Sequence, residues 1–289
     1  MPAERSDVVE AGRRFGRLLV APMAALYLIA LIAPISFFLV MSVFRYSALE
    51  LWVPTVTGEN FARLLGEPYH RAIILRTLKI ALLTTVCCLG LGYPLAWYLA
   101  RTASAWRGLL MFLVIAPLMT GVIVRTYGWI VLLGSEGTIN TILRGLGLVE
   151  RPVKILHTEL AVLIALVHIL LPYMVFPLFA SLAGQDPDLE RAAQTLGAGR
   201  ARTFLAVTLP LSRPGVLMGS ALVFTLTAGA VVTPALMGGK DVQMLGQTIY
   251  ELTMSTLNWP LASAVAFVLV VCQLAILLVY FGVGRRRAT

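Results

Sequence analysis

Six stretches of this sequence contain no Asp, Glu, Lys or Arg: residues 18–43, 80–100, 108–124, 160–183, 214–239 and 260–284. Crossing a bilayer as a helix takes about 20 apolar residues. Each stretch meets or approaches that length, and the shortest, 108–124, can run on through Arg125 to Leu133. Backbone N–H and C=O groups in lipid must be satisfied within the segment, so chains of this kind form helices rather than open sheet. The expected fold is therefore an all-α membrane bundle of six transmembrane helices. A soluble helical core would show polar outer faces at a 3.6-residue period, whereas these stretches are apolar all round. Composition agrees: 13% of residues are charged and 59% hydrophobic, against about one-quarter charged in a soluble domain.

The balance of 23 Lys and Arg against 14 Asp and Glu raises the question of nucleic acid, and placement answers it. The basic residues cluster at segment ends instead of forming one patch, so no nucleic-acid partner is expected. With both termini inside, the cytoplasmic pieces hold Arg5, Arg13, Arg14, Arg17, Arg101, Arg107, Arg191, Arg200, Arg202, Arg213, Arg285, Arg286 and Arg287, the excess that the positive-inside rule requires. The organisation read this way is a cytoplasmic tail over 1–17, a membrane domain over 18–284 with a cytoplasmic loop at 184–213, and a short tail over 285–289. Arg13, Arg14 and Arg17 precede an apolar run longer than the 7–15 residues of a signal-peptide core, so that run is expected to be an uncleaved first span. Cys87, Cys88 and Cys272 fall inside proposed spans and suggest packing rather than a disulfide or metal framework.

Two outside loops are expected, 44–79 and 135–159, both rich in turn formers. Pro172 and Pro177 should kink the fourth span. Gly229 and Pro234 break the fifth near its outer end, as happens where a helix lines a cavity or where small residues pack between helices.

The loop 184–213 carries the most information. Asp186 is a good N-cap, Pro187 suits the first helical position, and Asp188 complements the positive helix end. Leu189, Ala192, Ala193 and Leu196 then recur at i, i+3, i+4 and i+7, and Gly197 supplies a stop. The result is a short helix with a narrow ridge of mostly small side chains, shaped to enter a groove of another protein. A helix lying on lipid usually presents Trp, Phe or several Leu instead.

This segment resembles the E-A-A-x(3)-G-x(9)-I-x-L-P signature of ABC importer permeases, through Ala192, Ala193, Gly197, Val207, Leu209 and Pro210. The family's Glu position holds Arg191, and Glu190 lies one residue earlier. One residue is about 100° of helix rotation, which puts any family role for that carboxylate in doubt. The stretches 232–239, 258–260 and 124–129 are similar to permeases of spermidine and putrescine importers and their opine and phosphonate relatives. The resemblance implies a type I, MetI-like permease bundle whose 184–213 segment is a coupling helix contacting an ATPase. It also implies ATPase subunits that bind the ATP, a second permease subunit and a periplasmic solute-binding protein as partners in the inner membrane, with no cofactor of the chain's own.

Candidate pathway residues are Arg125, Tyr127, Trp129, Thr225, Thr233, Glu251 and Trp259. A polyamine would favour carboxylates and aromatic faces, which adds Glu136, Glu159 and Asp241. Each has a plainer role open to it: solvated loop charge, interfacial aromatic, snorkelling arginine, or threonine bonded to its own helix. His168 reads first as a hydrogen-bonded packing histidine. No G-x-x-x-x-G-K-[ST], H-E-x-x-H or G-x-S-x-G occurs, so an enzyme is not expected. Neither inverted repeats nor intramembrane carboxylates point to a secondary transporter.

Overall fold

The computed structural model describes the backbone of residues 2–285 and the side chains of residues 21–278, 280 and 282. The tail at 1–17 and the arginine run at 285–287 therefore contribute no described side chains, and Arg286 and Arg287 lie outside the described residues altogether. Helix α1 (Pro2–Ser42) is followed by two short antiparallel strands, β1 (Phe44–Arg45) and β2 (Val53–Val56), then α2 (Glu59–Gly66) and α3 (Pro68–Arg101). Next come α4 (Trp106–Ile115), a 3-10 turn (Ala116–Met119), α5 (Val122–Leu133), α6 (Thr138–Gly145) and α7 (Glu159–Ala183). The 184–213 segment contains α8 (Pro187–Thr195), α9 (Arg200–Thr203), a π turn (Phe204–Thr208) and α10 (Leu209–Leu211). The chain ends with α11 (Arg213–Ala228), a second π turn (Pro234–Gly238), α12 (Leu245–Met254) and α13 (Trp259–Arg285).

All six charge-free stretches fall on these helices, but not as six unbroken rods. Among the described residues four helices are long and apolar enough to cross in one piece, and two further segments meet the same test as bent pairs. The third expected span is the first correction. Trp106–Met119 and Val122–Gly145 meet at 101°, because Pro117 cannot donate a helical hydrogen bond and Gly121 takes an extended backbone before α5. In the fifth span α11 stops at Gly229, as the glycine suggested, and resumes only as a π turn. The second span corrects the reading in the other direction. Its helix begins at Pro68, well before the charge-free run, and its Arg76 and Lys79 share the one carboxylate of Glu159 on α7 at 3.3 and 2.6 Å. The β hairpin, with Phe44 stacked on Trp52 at 5.6 Å, is the one small sheet among the described residues.

Helices α3, α7 and α11 pack together around Met174, Val175, Leu178 and Val223, all at most 1% exposed. Lipid tails are as apolar as leucine, so close packing rather than water exclusion drives such contacts. The sequence supplies the means with a G-x-x-x-G pair on α11. A Cβ on Gly215 would lie 2.6 Å from the Ser181 Cβ and 2.7 Å from the Pro177 carbonyl, and one on Gly219 2.8 Å from the Met174 sulfur. The two glycines let α11 lie directly on α7. Helix α1, by contrast, packs against α13 at the margin. None of its best apolar window is buried within the chain, and Leu26, Tyr27, Ile29 and Leu31 are all more than 60% exposed. Such a surface is stable only against lipid or another apolar surface.

Candidate functional site

Helix α8 is closed at both ends by its own sequence. Asp186 accepts from the Asp188 amide at 2.9 Å, and Pro187 starts the first turn without leaving an orphan donor. At the other end Gly197 has φ +87°. Its amide donates to the Gln194 carbonyl at 2.9 Å, and the Ala198 amide donates to the Ala193 carbonyl at 3.0 Å. These two bonds define a Schellman stop, which needs a left-handed residue at that position. Leu189, Ala192 and Leu196 are exposed, Leu196 by 88%, while Ala193 turns partly toward the body of the protein.

Glu190 ties α8 to the membrane helices. One of its carboxylate oxygens lies 2.7 Å from a guanidinium nitrogen of Arg101, the last residue of α3, and accepts from the Thr208 hydroxyl at 2.9 Å. Arg101 also donates to the Leu182 carbonyl and the Gln185 side chain, both at 3.3 Å, and Gln185 donates to the Thr208 carbonyl at 3.3 Å. The one-residue offset thus has a structural meaning: the 100° rotation that takes Glu190 away from the family position turns it inward toward Arg101. Arg191 points out and pairs with Asp188 at the surface. Sequence reading alone passed over Arg101 because it lies 89 residues from Glu190.

Pro210 has no amide to offer the carbonyl four residues back, and the turn before it widens so that the Leu209 amide reaches Phe204. This is a common way for a helix to absorb a local mismatch. Leu209 packs on the central core. Ser212, at the 64° bend between Arg200–Leu211 and Arg213–Ala228, is 2.8 Å from the Tyr93 hydroxyl of α3. Between α3 and α8–α9 lies a groove of about 510 Å³ lined by Tyr93, Trp97, Glu190, Arg200 and Phe204.

The pathway candidates fall in separate places. Arg125 and Thr233 line one cavity of about 260 Å³ between α5, α7 and the end of α11, and Thr233 lies 3.2 Å from Thr126 through the hydroxyls. Arg125 Nε and Nη1 are buried without a hydrogen-bond partner. A charged side chain at the bilayer centre costs about 2.5–3.5 kcal/mol on insertion scales. The Trp129 indole donates to His168 Nδ1 at 3.2 Å. Tyr127 is exposed, 55%. Thr225 is half-buried, and its carbonyl accepts from Gln273 at 3.2 Å. Glu251 accepts from Gln247 at 2.8 Å and Gln243 at 3.3 Å. Trp259 borders a different cavity with Phe37 and Phe38 of α1. Of the further carboxylates, Glu159 is engaged by Arg76 and Lys79, whereas Glu136 and Asp241 are exposed. Among the described residues no cluster of metal-ligating side chains occurs, and the three cysteines are free thiols.

Six crossing segments, two of them bent, with a capped helical loop between the fourth and fifth, define a type I, MetI-like permease bundle. The crystal structure of a bacterial alginate ABC transporter in complex with alginate pentasaccharide-bound periplasmic protein contains a chain of the same fold. It matches 97% of this chain and 96% of that one with a TM-score of 0.77 at 17% identity. The family model for the binding-protein-dependent transport system inner membrane component matches residues 92–288, and the chain belongs to that family. The spermidine/putrescine transport system permease protein PotB of Escherichia coli is 38% identical over 229 residues, covering 79% of this chain and 83% of that one. PotB of Haemophilus influenzae is 33% identical over 268 residues, 93% of each chain. This chain is thus a multi-pass inner-membrane permease of an ABC importer.

Proposed function

We propose that the chain forms half of the translocation pathway of an ATP-driven importer for a polyamine such as putrescine or spermidine. It works with a second permease subunit, two ATPase subunits and a periplasmic solute-binding protein. The permease itself is not an enzyme and binds no cofactor; ATP is bound and hydrolysed by the ATPase subunits. Both termini and the 184–213 loop lie on the cytoplasmic side.

The observation that carries the ATPase contact is the exposed ridge of Leu189, Ala192 and Leu196 on a helix that is capped at both ends and pinned to α3 through Glu190 and Arg101. A rigid helix with an uncovered apolar ridge and a charged tether to the membrane body can pass a displacement inward. Closure of the ATPase pair would move α8 and switch the pathway between outward and inward access, a rigid-body transition. The polyamine assignment draws on the two PotB relatives.

Deletion of the gene, followed by measurement of labelled putrescine and spermidine import, tests the substrate. Import of both should fall to background and return with the gene. Unchanged import of both, with loss of an opine, a phosphonate or another small solute, would reject the polyamine assignment and leave the permease class standing.

A further inference from the structure

Arg125 lies in the first turn of α5, beside a cavity whose other walls include Leu166, Ile169 and Tyr173 of α7, Leu226 of α11 and Thr233. Helix α7 has 25 residues, so its centre falls near Leu171. Walls drawn from positions 166 to 173 put the cavity at mid-span, within about 8 Å of that centre at ~1.5 Å rise per residue. Two guanidinium nitrogens of Arg125 are buried without partners, and no carboxylate lines the cavity. Arginines elsewhere differ: Arg76 and Arg101 each face a glutamate of this chain.

A guanidinium placed so deep is best matched by an anionic group, and among the described residues none lines the cavity. We propose that the cavity receives a carboxylate of the second permease subunit, which pairs with Arg125 across the interface between the two halves of the pathway. The inference rests on the polyamine reading: a cargo that is itself an ammonium cation would be repelled by Arg125, so the counter-charge comes from protein. Tyr173 and Thr233, on the cavity wall, can donate to the free lone pairs of the incoming carboxylate.

The test uses the complete complex purified from membranes, with Arg125→Gln, Arg125→Lys and Arg125→Glu. Arg125→Glu is combined in turn with reversal to Arg of every Asp and Glu in the second permease's spans. Arg125→Gln should weaken retention of the second permease about 30-fold or more, as expected when one partner of a buried charge pair is removed, and putrescine uptake should fall with it. Arg125→Lys should keep most of both, and a single reversal in the second permease should restore Arg125→Glu.

If the wild type imports polyamine and Arg125→Gln holds its partner and transports normally, the pairing is wrong and the substrate assignment survives. If no reversal restores an Arg125→Glu chain that reaches the membrane in normal amount, the pairing is again wrong. If the wild type imports no polyamine, while Arg125→Gln assembles normally and loses uptake of a phosphonate, the anion belongs to the cargo and both ideas fall.

Discussion

Two ion pairs on α8 have the same length and opposite exposure. Arg101–Glu190 and Arg191–Asp188 are both 2.7 Å, but their side chains are 19% and 20% exposed in the first and 78% and 73% in the second. Unit charges about 4 Å apart attract by ~4 kcal/mol at an effective dielectric of 20, part of which offsets desolvation. Removing one partner of a buried, hydrogen-bonded pair costs about 2–5 kcal/mol, whereas an exposed pair contributes about 0–1. With a fifth of each side chain in contact with solvent, Glu190→Gln belongs at the lower end, near 2 kcal/mol. If that loss falls wholly on the seating of α8, the seated fraction drops by up to about 30-fold, at ~1.4 kcal/mol per factor of ten. The assay is ATP-driven uptake per ATP hydrolysed by the complex in liposomes. Glu190→Gln should lower that ratio about tenfold while hydrolysis continues, and Arg191→Ala should change it less than about twofold. The double variant Arg101→Gln with Glu190→Gln should recover part of the loss, because no orphaned charge remains. Equal effects from Glu190→Gln and Arg191→Ala would refute the claim that Glu190 anchors the coupling helix.

Two further expectations follow from glycines and a small residue. Gly197 has φ +87° and open space around it, so Gly197→Val should fail through backbone strain of about 1–2 kcal/mol and Gly197→Asn should be tolerated. Together with Ala193→Trp, which crowds the partly buried side of α8 and so displaces its ridge, Gly197→Val should reduce ATPase co-purification. Normal ATPase association and transport in both variants would mean that α8 is not the coupling helix. On α11, Gly215→Leu should lower the detergent unfolding midpoint by an amount equivalent to about 1–3 kcal/mol, since Ser181 and the Pro177 backbone occupy the space its side chain needs. Gly90→Ala, with nothing within 4 Å of the added carbon, should be neutral, and an equal loss there would show that α7–α11 contact is not the cause.

Local chemistry was legible and partnership across distance was not. The absence of charge located every crossing segment because lipid penalises charge regardless of what lies nearby. Asp186, Pro187 and Gly197 announced the ends of α8 because caps act within a turn. Where the sequence misled, the deciding contact came from elsewhere in the chain. Helix α3 extends back to Pro68, and Arg76 and Lys79 on that extension meet Glu159 of α7. Glu190 looked misplaced because Arg101 belongs to another helix. The bend at Gly121 was half visible in Pro117, but a proline in an apolar run reads equally as a kink or a break. The Gly215 and Gly219 pair was a signal that could have been found, since glycines four apart on one helix leave a groove for a neighbour.

The same contacts outline a route by which the proposed coupling helix could act on the Arg125 cavity. Helix α11 has 16 residues, about 24 Å at ~1.5 Å per residue. At one end it leaves the coupling segment at Ser212, where the Tyr93 hydroxyl holds the bend to α3. Near the other, Leu226 forms a wall of the Arg125 cavity, and Thr233 beyond it touches Thr126 of α5. Between these ends Gly215 and Gly219 add no side chain of their own, so α11 lies close on Ser181, Pro177 and Met174 of α7, and a tilt of α11 presses on α7. A displacement of α8 is passed to α3 by the Glu190–Arg101 pair and to α11 by the Tyr93–Ser212 contact. On the proposed coupling route it would reach the cavity through α11, and beyond the bend at Ser212 the next break in the backbone is at Gly229.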